Sequence, residues 1–209
     1  VPVAVTVVTA WDEKAARVGE YTWPNRVAYC ARHGYSLRGG RRPDDDPHGG
    51  LWVKPAAISD ALSAGDGWVT WLDADVLITA PETPLDWLGR TSADLVYSAD
   101  INGLNCGVLF VRATDWSRSF VRKWLAGKAM YETYQNADQS AIAHLLHGEP
   151  REKWECWPQR TFNSYRYGEY GLSYPPGEWQ PGDFALHLPG LSDERRLEIF
   201  GQFAAGDLK

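Results

Sequence analysis

The apolar and polar positions divide the chain into short buried strands separated by longer helical stretches. Residues 3–9 form an almost continuous β-branched run, the mark of a strand buried on both faces, and Thr9, Ala10 and Trp11 close it. A helical pattern follows, with Pro24 near its start, where a missing N–H costs nothing, and Gly34 as its stop. Residues 35–37 predict a short second strand, and residues 51–64 a helix with Trp52, Ile58 and Leu62 on its apolar side. Residues 68–80, WVTWLDADVLITA, open as a buried strand, break at Asp73 and Asp75, and resume apolar at Val76, Leu77 and Ile78. Residues 94–98 and 106–111 predict further strands. Thr114 caps a helix to Lys128 with Trp116, Phe120 and Trp124 on one face, and residues 136–146 make another helix. Residues 154–174 are loops with short strands, residues 184–190 a strand ending at His187, and residues 192–205 a helix capped by Ser192. At 209 residues the chain predicts a single domain, residues 1–209, large enough for a substantial core.

Composition narrows the function classes. A net charge of −6 lacks the basic face that a nucleic-acid partner requires, but leaves a nucleotide ligand open where a cation offsets its phosphates. The 11 Trp and 10 Tyr exceed ordinary use; they fill the core or line a site for flat, sugar-like ligands. Cys30, Cys106 and Cys156 are odd in number and lack zinc-ligand spacing, which predicts free thiols in a reducing compartment. The apolar run at residues 1–11 is too short to cross a bilayer, so no span is expected here. A compact chain of this kind points to a microbial cytoplasmic enzyme, with a leader or anchor removed earlier left open. The loop at residues 39–50, GGRRPDDDPHGG, reads as surface, and Asp44, Asp45, Asp46 and His48 in it as a solvated charge run rather than a ligand set.

The chemistry centres on Asp73 and Asp75. An ionised carboxylate does not sit alone inside a strand. These two must therefore mark the strand's end, in water or on a cation, and an Asp-x-Asp pair leaving a strand offers oxygen ligands to a hard divalent ion. By spacing alone a plain turn is the favoured reading, because D-x-D is a very short pattern. Ligands of α/β sheets bind at the carboxyl edge, where the end of the first strand also lies; Trp11 there stacks on a nucleobase or caps the core.

Several stretches carry a resemblance in the same order. WLDADVLI at residues 71–78 resembles the metal-binding motif of nucleotide-sugar-dependent glycosyltransferases of the GT-A fold. NRVAYCARHGYSL at residues 25–37 resembles the YA-x-x-HGY turn of the glycosyltransferases that include fungal α-galactosyl- and mannosyltransferases and plant xylosyltransferases, and Trp52, Lys54 and Pro55 match the W-x-K opening of their next helix. NCGVLFVR at residues 105–112 resembles their N-x-G-V-x-x-x-R strand, with Cys106 where Ala is usual. Asp138 and Gln139 match a D-Q pair, and His187 with Gly190 an H-x-x-G motif.

The resemblance implies a retaining enzyme with an α/β fold, the Rossmann-like GT-A fold, whose mostly parallel sheet is covered by helices on both faces. Asp73, Asp75 and His187 would hold Mn²⁺ or Mg²⁺. Thr9, Ala10, Trp11, Lys54, Asp73, Ala74, Asp100, Gly107 and Gly190 would line the donor site, and Asn105, Asp138 and Gln139 would work at the donor sugar, Gln139 on the face opposite the leaving group. A Lys usual after the Gly is missing from LSDERR, so Arg195 or Arg196 would take its place at the phosphates. Residues 1–112 would mainly bind the nucleotide sugar, and residues 113–209 the acceptor and a closing loop. The donor implied is a UDP-sugar, with GDP-mannose next, and the acceptor an unspecified hydroxyl. Three alternatives stand beside this one. A sugar nucleotidylyltransferase needs a Gly-rich basic loop where this chain has TAWDEKAARVGE. A glycoside hydrolase needs two carboxylates flanking the scissile bond. A non-catalytic sugar-binding module would not need Asp73, Asp75 and His187 together.

Overall fold

The computed structural model describes residues 3–43, 49–65, 67–134 and 136–208, so Asp44, Asp45, Asp46 and His48 lie outside the described residues. In chain order the elements are β1 (Val5–Trp11), α1 (Ala16–His33), β2 (Ser36–Arg41), α2 (Val53–Ala64), β3 (Trp68–Leu72), β4 (Val76–Ile78), β5 (Leu95–Asp100), β6 (Gly103–Arg112), α3 (Asp115–Ala126), α4 (Lys128–Tyr131), α5 (Ala137–Leu146), β7 (Trp154–Trp157), β8 (Ala185–His187) and α6 (Asp193–Ala205). The main sheet has the order β2-β1-β3-β6-β5-β7, and β4 pairs with β8 in a small second sheet. Only β6 runs against its neighbours; β1, β2, β3, β5 and β7 point the same way. The mostly parallel sheet that the resemblance implies is thus present.

Period-two side-chain alternation explains why both faces are covered. Val8 and Ala10 of β1, with Val69 and Trp71 of β3, pack under α2, α3 and α5. Val5 and Val7, with Trp68 and Leu72, face Tyr29 and Cys30 of α1 on the other side. A third cluster joins α1, β4, β8 and α6 through Val18, Leu77, Leu186, Ile199 and Phe200. Among the described residues, no helix is long and apolar enough to cross a membrane.

Local chemistry sets the helix ends. Gly34 ends α1 in the left-handed conformation, φ 69°, as a helix stop requires. Thr114 and Ser117 form a reciprocal capping box at α3. One expectation fails: Pro24 lies inside α1, not near its start. The helix begins earlier because Asp12 caps a 3-10 turn at Glu13–Ala15 that feeds directly into it. Pro24 and Glu20 both lie on the exposed face, so water can serve the carbonyl that loses its N–H partner. The strand predicted at 35–37 is also longer, and α3 stops two residues sooner than Lys128.

Two features of this architecture build the site. The carboxyl ends of β1, β3 and β5 share one edge with the start of β6 and the first turns of α2 and α5. The register of β5 on β6 then shifts between Val96, opposite Phe110, and Ser98, opposite Asn105, and the irregular stretch of β6 that follows Asn105 carries Cys106 and Gly107. Such bulges re-aim side chains next to binding sites.

Candidate functional site

Asp73, Ala74 and Asp75 form the turn between β3 and β4. The turn is held from below by α1: Thr22 Oγ1 donates to the Ala74 carbonyl at 2.9 Å, and Arg26 Nη2 donates to the carbonyls of Asp73 and, at 3.0 Å, Val76. Asn25 exchanges two hydrogen bonds with the Ile78 backbone. Arg26 is fully buried, which pulls its guanidinium down to about 10 against the opposing charges of Asp75 and Asp73. These α1 residues were missed in the sequence. Their signal was polar side chains at 22 and 26 on a helical face otherwise set by Val18, Tyr29 and Cys30.

The short β4–β8 pairing places His187 opposite Val76, so its ring comes beside Asp75. His187 Nε2 lies 3.3 Å from Asp75 Oδ1. One ligand atom each from Asp73, Asp75 and His187 falls within 4.8 Å of the others. Two carboxylates and an imidazole make a donor set that suits Mn²⁺ and accommodates Mg²⁺, so these residues fit the implied cation. Gly107 is what admits the imidazole: a Cβ there would meet His187 Cε1 at 2.1 Å. The motif glycine thus makes room for the histidine while its backbone also lines the cleft, where the resemblance puts the donor.

The two carboxylates of the turn are not equivalent. Asp73 accepts from Trp71 Nε1 at 2.6 Å and lies 3.1 Å from Lys54 Nζ. Burial pushes its carboxyl up, against the pull of Lys54 and with the push of Asp75. Burial opposes ionisation of Asp75 too, but His187 and Arg196 outweigh it and hold that carboxyl well below the usual range. Arg196 Nη2 is 2.8 Å from Asp75 Oδ2.

A second charged group lies behind the turn. Lys54, in the first turn of α2, is 5% exposed, and its ammonium sits 3.0 Å from Asp138 Oδ2 and 3.0 Å from Cys106 Sγ. Burial alone would lower the Lys54 pKa, yet Asp138 and Asp73 together hold it well above its ordinary value. Asp138 is 2% exposed in the first turn of α5, and the adjacent Gln139 accepts from the Cys106 N–H at 3.3 Å. Asp100 closes the β5–β6 hairpin, accepting from Asn102 N, Asn105 Nδ2 and Tyr165 OH.

Two cavities, of about 390 and about 450 Å³, meet at Lys54, Asp73, Asp75 and Arg196. The first is walled by Ala10, Trp11 and Ala74, the second by Asp100, Asn105, Gly107, Asp138, Gln139, His187 and Gly190. Most residues singled out in the sequence are thereby brought together. Two are not. Thr9 is wholly buried beneath the first cavity and lines neither. Arg195 turns away to Glu169, at 2.7 and 2.9 Å, and to Glu198, so of the two arginines it is Arg196 that faces the cleft. Trp11 is 5% exposed and packs edge-on to Trp23, a wall residue that also closes the core. The wall carries Tyr165, Tyr167 and Tyr170, and behind it sits Asn163, a fully buried residue that sequence pattern did not mark.

Comparison with known proteins agrees with this geometry. The chain is 26% identical over 214 residues to a "Probable glycosyltransferase 6" of Oryza sativa subsp. indica, covering 84% of this chain and 44% of that one. It is 23% identical over 214 residues to an alpha-1,2-galactosyltransferase of Schizosaccharomyces pombe, covering 80% of this chain and 55% of that one. The chain therefore spans about half the length of these curated relatives. Its fold matches the crystal structure of a glycosyltransferase involved in the glycosylation of the major capsid of PBCV-1, with a TM-score of 0.75 at 17% identity, over 93% of this chain and 97% of that one. The architecture is thus that of the GT-A glycosyltransferases. The profile of the galactosyl transferase GMA12/MNN10 family matches residues 3–88 and 89–198, ranges that hold the Asp-x-Asp turn, the β6 bulge, the start of α5 and His187, and the chain belongs to that family.

Proposed function

We propose that this chain is the catalytic unit of a retaining, metal-dependent glycosyltransferase. It takes a sugar from a nucleoside-diphosphate sugar, a UDP-sugar first and GDP-mannose second, and places it on a hydroxyl acceptor. The observation that carries this reading is the convergence of Asp73, Asp75 and His187 where the two cavities meet. The nucleoside takes the cavity walled by Ala10, Trp11 and Ala74; the transferred sugar and the acceptor take the other. The fission-yeast relative's name makes galactose the first sugar to try.

Asp73, Asp75 and His187 would hold Mn²⁺ or Mg²⁺. A divalent cation there supplies Lewis-acid stabilisation of the charge that develops on the departing diphosphate. Arg196, now on Asp75, is placed to turn its guanidinium to a diphosphate oxygen, the task that the resemblance gives to a lysine. Asn105 and Gln139 present amides, which both donate to and accept from sugar hydroxyls. Lys54 and Asp138 form the floor beneath them. Asp138 is committed to an ion pair and stripped of solvent, which makes it a poor nucleophile. A same-face route follows: the acceptor oxygen bonds to the anomeric carbon as the bond to phosphate breaks, and the departing phosphate oxygen accepts the hydroxyl proton.

The test is thermal unfolding with each nucleoside diphosphate, with and without Mn²⁺, on wild type and on Asp75→Ala. Ligand at 100 times its Kd stabilises by about 2.7 kcal/mol, a readily measured shift. One diphosphate should stabilise wild type only with Mn²⁺, and Asp75→Ala should lose that shift. Absence of any Mn²⁺-dependent shift in wild type would overturn the reading.

A further inference from the structure

Asn163 is fully buried, belongs to no element of the sheet, and lines neither of the two cavities described above. Its position is nonetheless over-determined. Its N–H donates to the Gln159 carbonyl at 2.8 Å, Gln159 Nε2 donates to its carbonyl at 3.1 Å, and the neighbouring Phe162 is wedged against Phe110 and Trp87. A side chain held so firmly has its partners chosen for it.

Those partners form a directed relay. The Gly107 backbone N–H can only donate, and it donates to Asn105 Oδ1 at 2.9 Å. That fixes which end of the Asn105 amide is oxygen. Asn163 meets the same oxygen at 2.9 Å, so the atom it presents must be its NH₂ group, which also reaches Ser98 Oγ at 3.0 Å. The Asn163 oxygen is then the atom left facing His187 Nδ1, at 2.8 Å. An amide oxygen has nothing to donate, so Nδ1 must carry the proton. In the neutral imidazole the other nitrogen, Nε2, is consequently a lone pair, and it is Nε2 that lies 3.3 Å from Asp75 Oδ1. Two acceptors facing one another at that distance are satisfied by a proton, which makes His187 the imidazolium that lowers Asp75, or by a divalent cation that takes the proton's place on Nε2.

We infer that Asn163 is the positioning residue that sets the tautomer of His187, passing on the direction imposed by the Gly107 N–H so that Nε2 offers its lone pair to the cation site. The inference rests on the proposed cation site. Partners that donate or accept on the far nitrogen of a ligating histidine typically alter metal affinity by roughly 10- to 100-fold when removed.

The test has two readouts that do not depend on turnover. Long-range ¹H–¹⁵N correlation spectra of the chelator-treated wild type, at a pH where imidazole is neutral, report the tautomer; the chain has five histidines, and His187→Gln identifies the signal. Mn²⁺ titration without nucleotide, followed by electron paramagnetic resonance, reports affinity. Wild-type His187 should be protonated on Nδ1. Asn163→Ala should populate the Nε2–H form and bind Mn²⁺ roughly 10- to 100-fold more weakly. Asn163→Asp keeps an oxygen for Nδ1–H, so it should retain the wild-type tautomer and most of the affinity, although its second oxygen loses the bond to Asn105. Loss of packing alone would weaken both variants without changing the tautomer. The inference is overturned if neutral wild-type His187 carries its proton on Nε2, or if Asn163→Ala binds Mn²⁺ as tightly as wild type. Should Asn163→Ala fail to fold, the wild-type tautomer and Asn163→Asp decide. A wild type that binds no Mn²⁺ defeats the cation site of the proposed function, while the tautomer still judges Asn163 separately.

Discussion

The cleft has two unlike sides. Its inner wall, around the Asp73–Asp75 turn, is dense with buried polar groups: Arg26 and Asn163 are 0% exposed and His187 2%. Its outer rim is the reverse. Leu51, Ile101 and Leu172 are aliphatic and 51, 46 and 46% exposed, yet they line the same cavity. The inner wall holds a single geometry, because any shift would leave a buried donor, acceptor or charge unpaired. The rim has no such constraint. On the proposed function, the fixed wall would serve the chemistry and the rim would be the part free to vary with the acceptor.

The sharpest way to break the inner wall is Lys54→Met. It leaves Asp138 buried without its cation, which should cost roughly 3–5 kcal/mol in denaturant unfolding. Adding Asp138→Asn should recover most of that loss, since the uncompensated charge is then gone; a double mutant no more stable than Lys54→Met would show that packing, not charge, is at stake. Gly107→Ala should follow in size. The new Cβ would displace the His187 ring, and overpacking of this kind costs about 1–3 kcal/mol. Its signature should be loss of Mn²⁺-dependent nucleotide stabilisation in a protein that still unfolds cooperatively. The smallest effect on the fold belongs to the rim. Leu172→Ser should change stability by no more than about 0.5 kcal/mol and leave nucleotide-induced shifts intact. Steady-state kinetics should then show a change in acceptor KM alone; a change in donor KM would erase the proposed division between wall and rim.

The elements were largely legible in the chain. β1 and β3 announce themselves as runs of buried β-branched and aromatic residues, and Gly34 and Thr114 mark helix ends by chemistry that acts within a few residues. Pro24 misled because a proline is compatible with either a helix start or an exposed interior face, and only the Asp12 turn upstream decides between them. Of the candidate site, Asp73 and Asp75 were visible because two charges interrupt an apolar run. Lys54 and Asp138 were visible only as motif members, since nothing local distinguishes a lysine reaching into the core from one on the surface.

What the sequence determined by itself, then, is whatever depends on neighbours in the chain: the periodicity of each strand and helix, the caps, and the place where carboxylates leave β3. The tertiary structure alone decided what depends on residues far apart. It brought His187 to Asp75 through the β4–β8 pairing, chose Arg196 over Arg195 by the direction each leaves α6, and set Asn163 between His187 and Asn105. The reason is physical. A hydrogen bond or ion pair across tens of residues carries no periodicity and no local preference, so it exists only once packing has brought its two ends together.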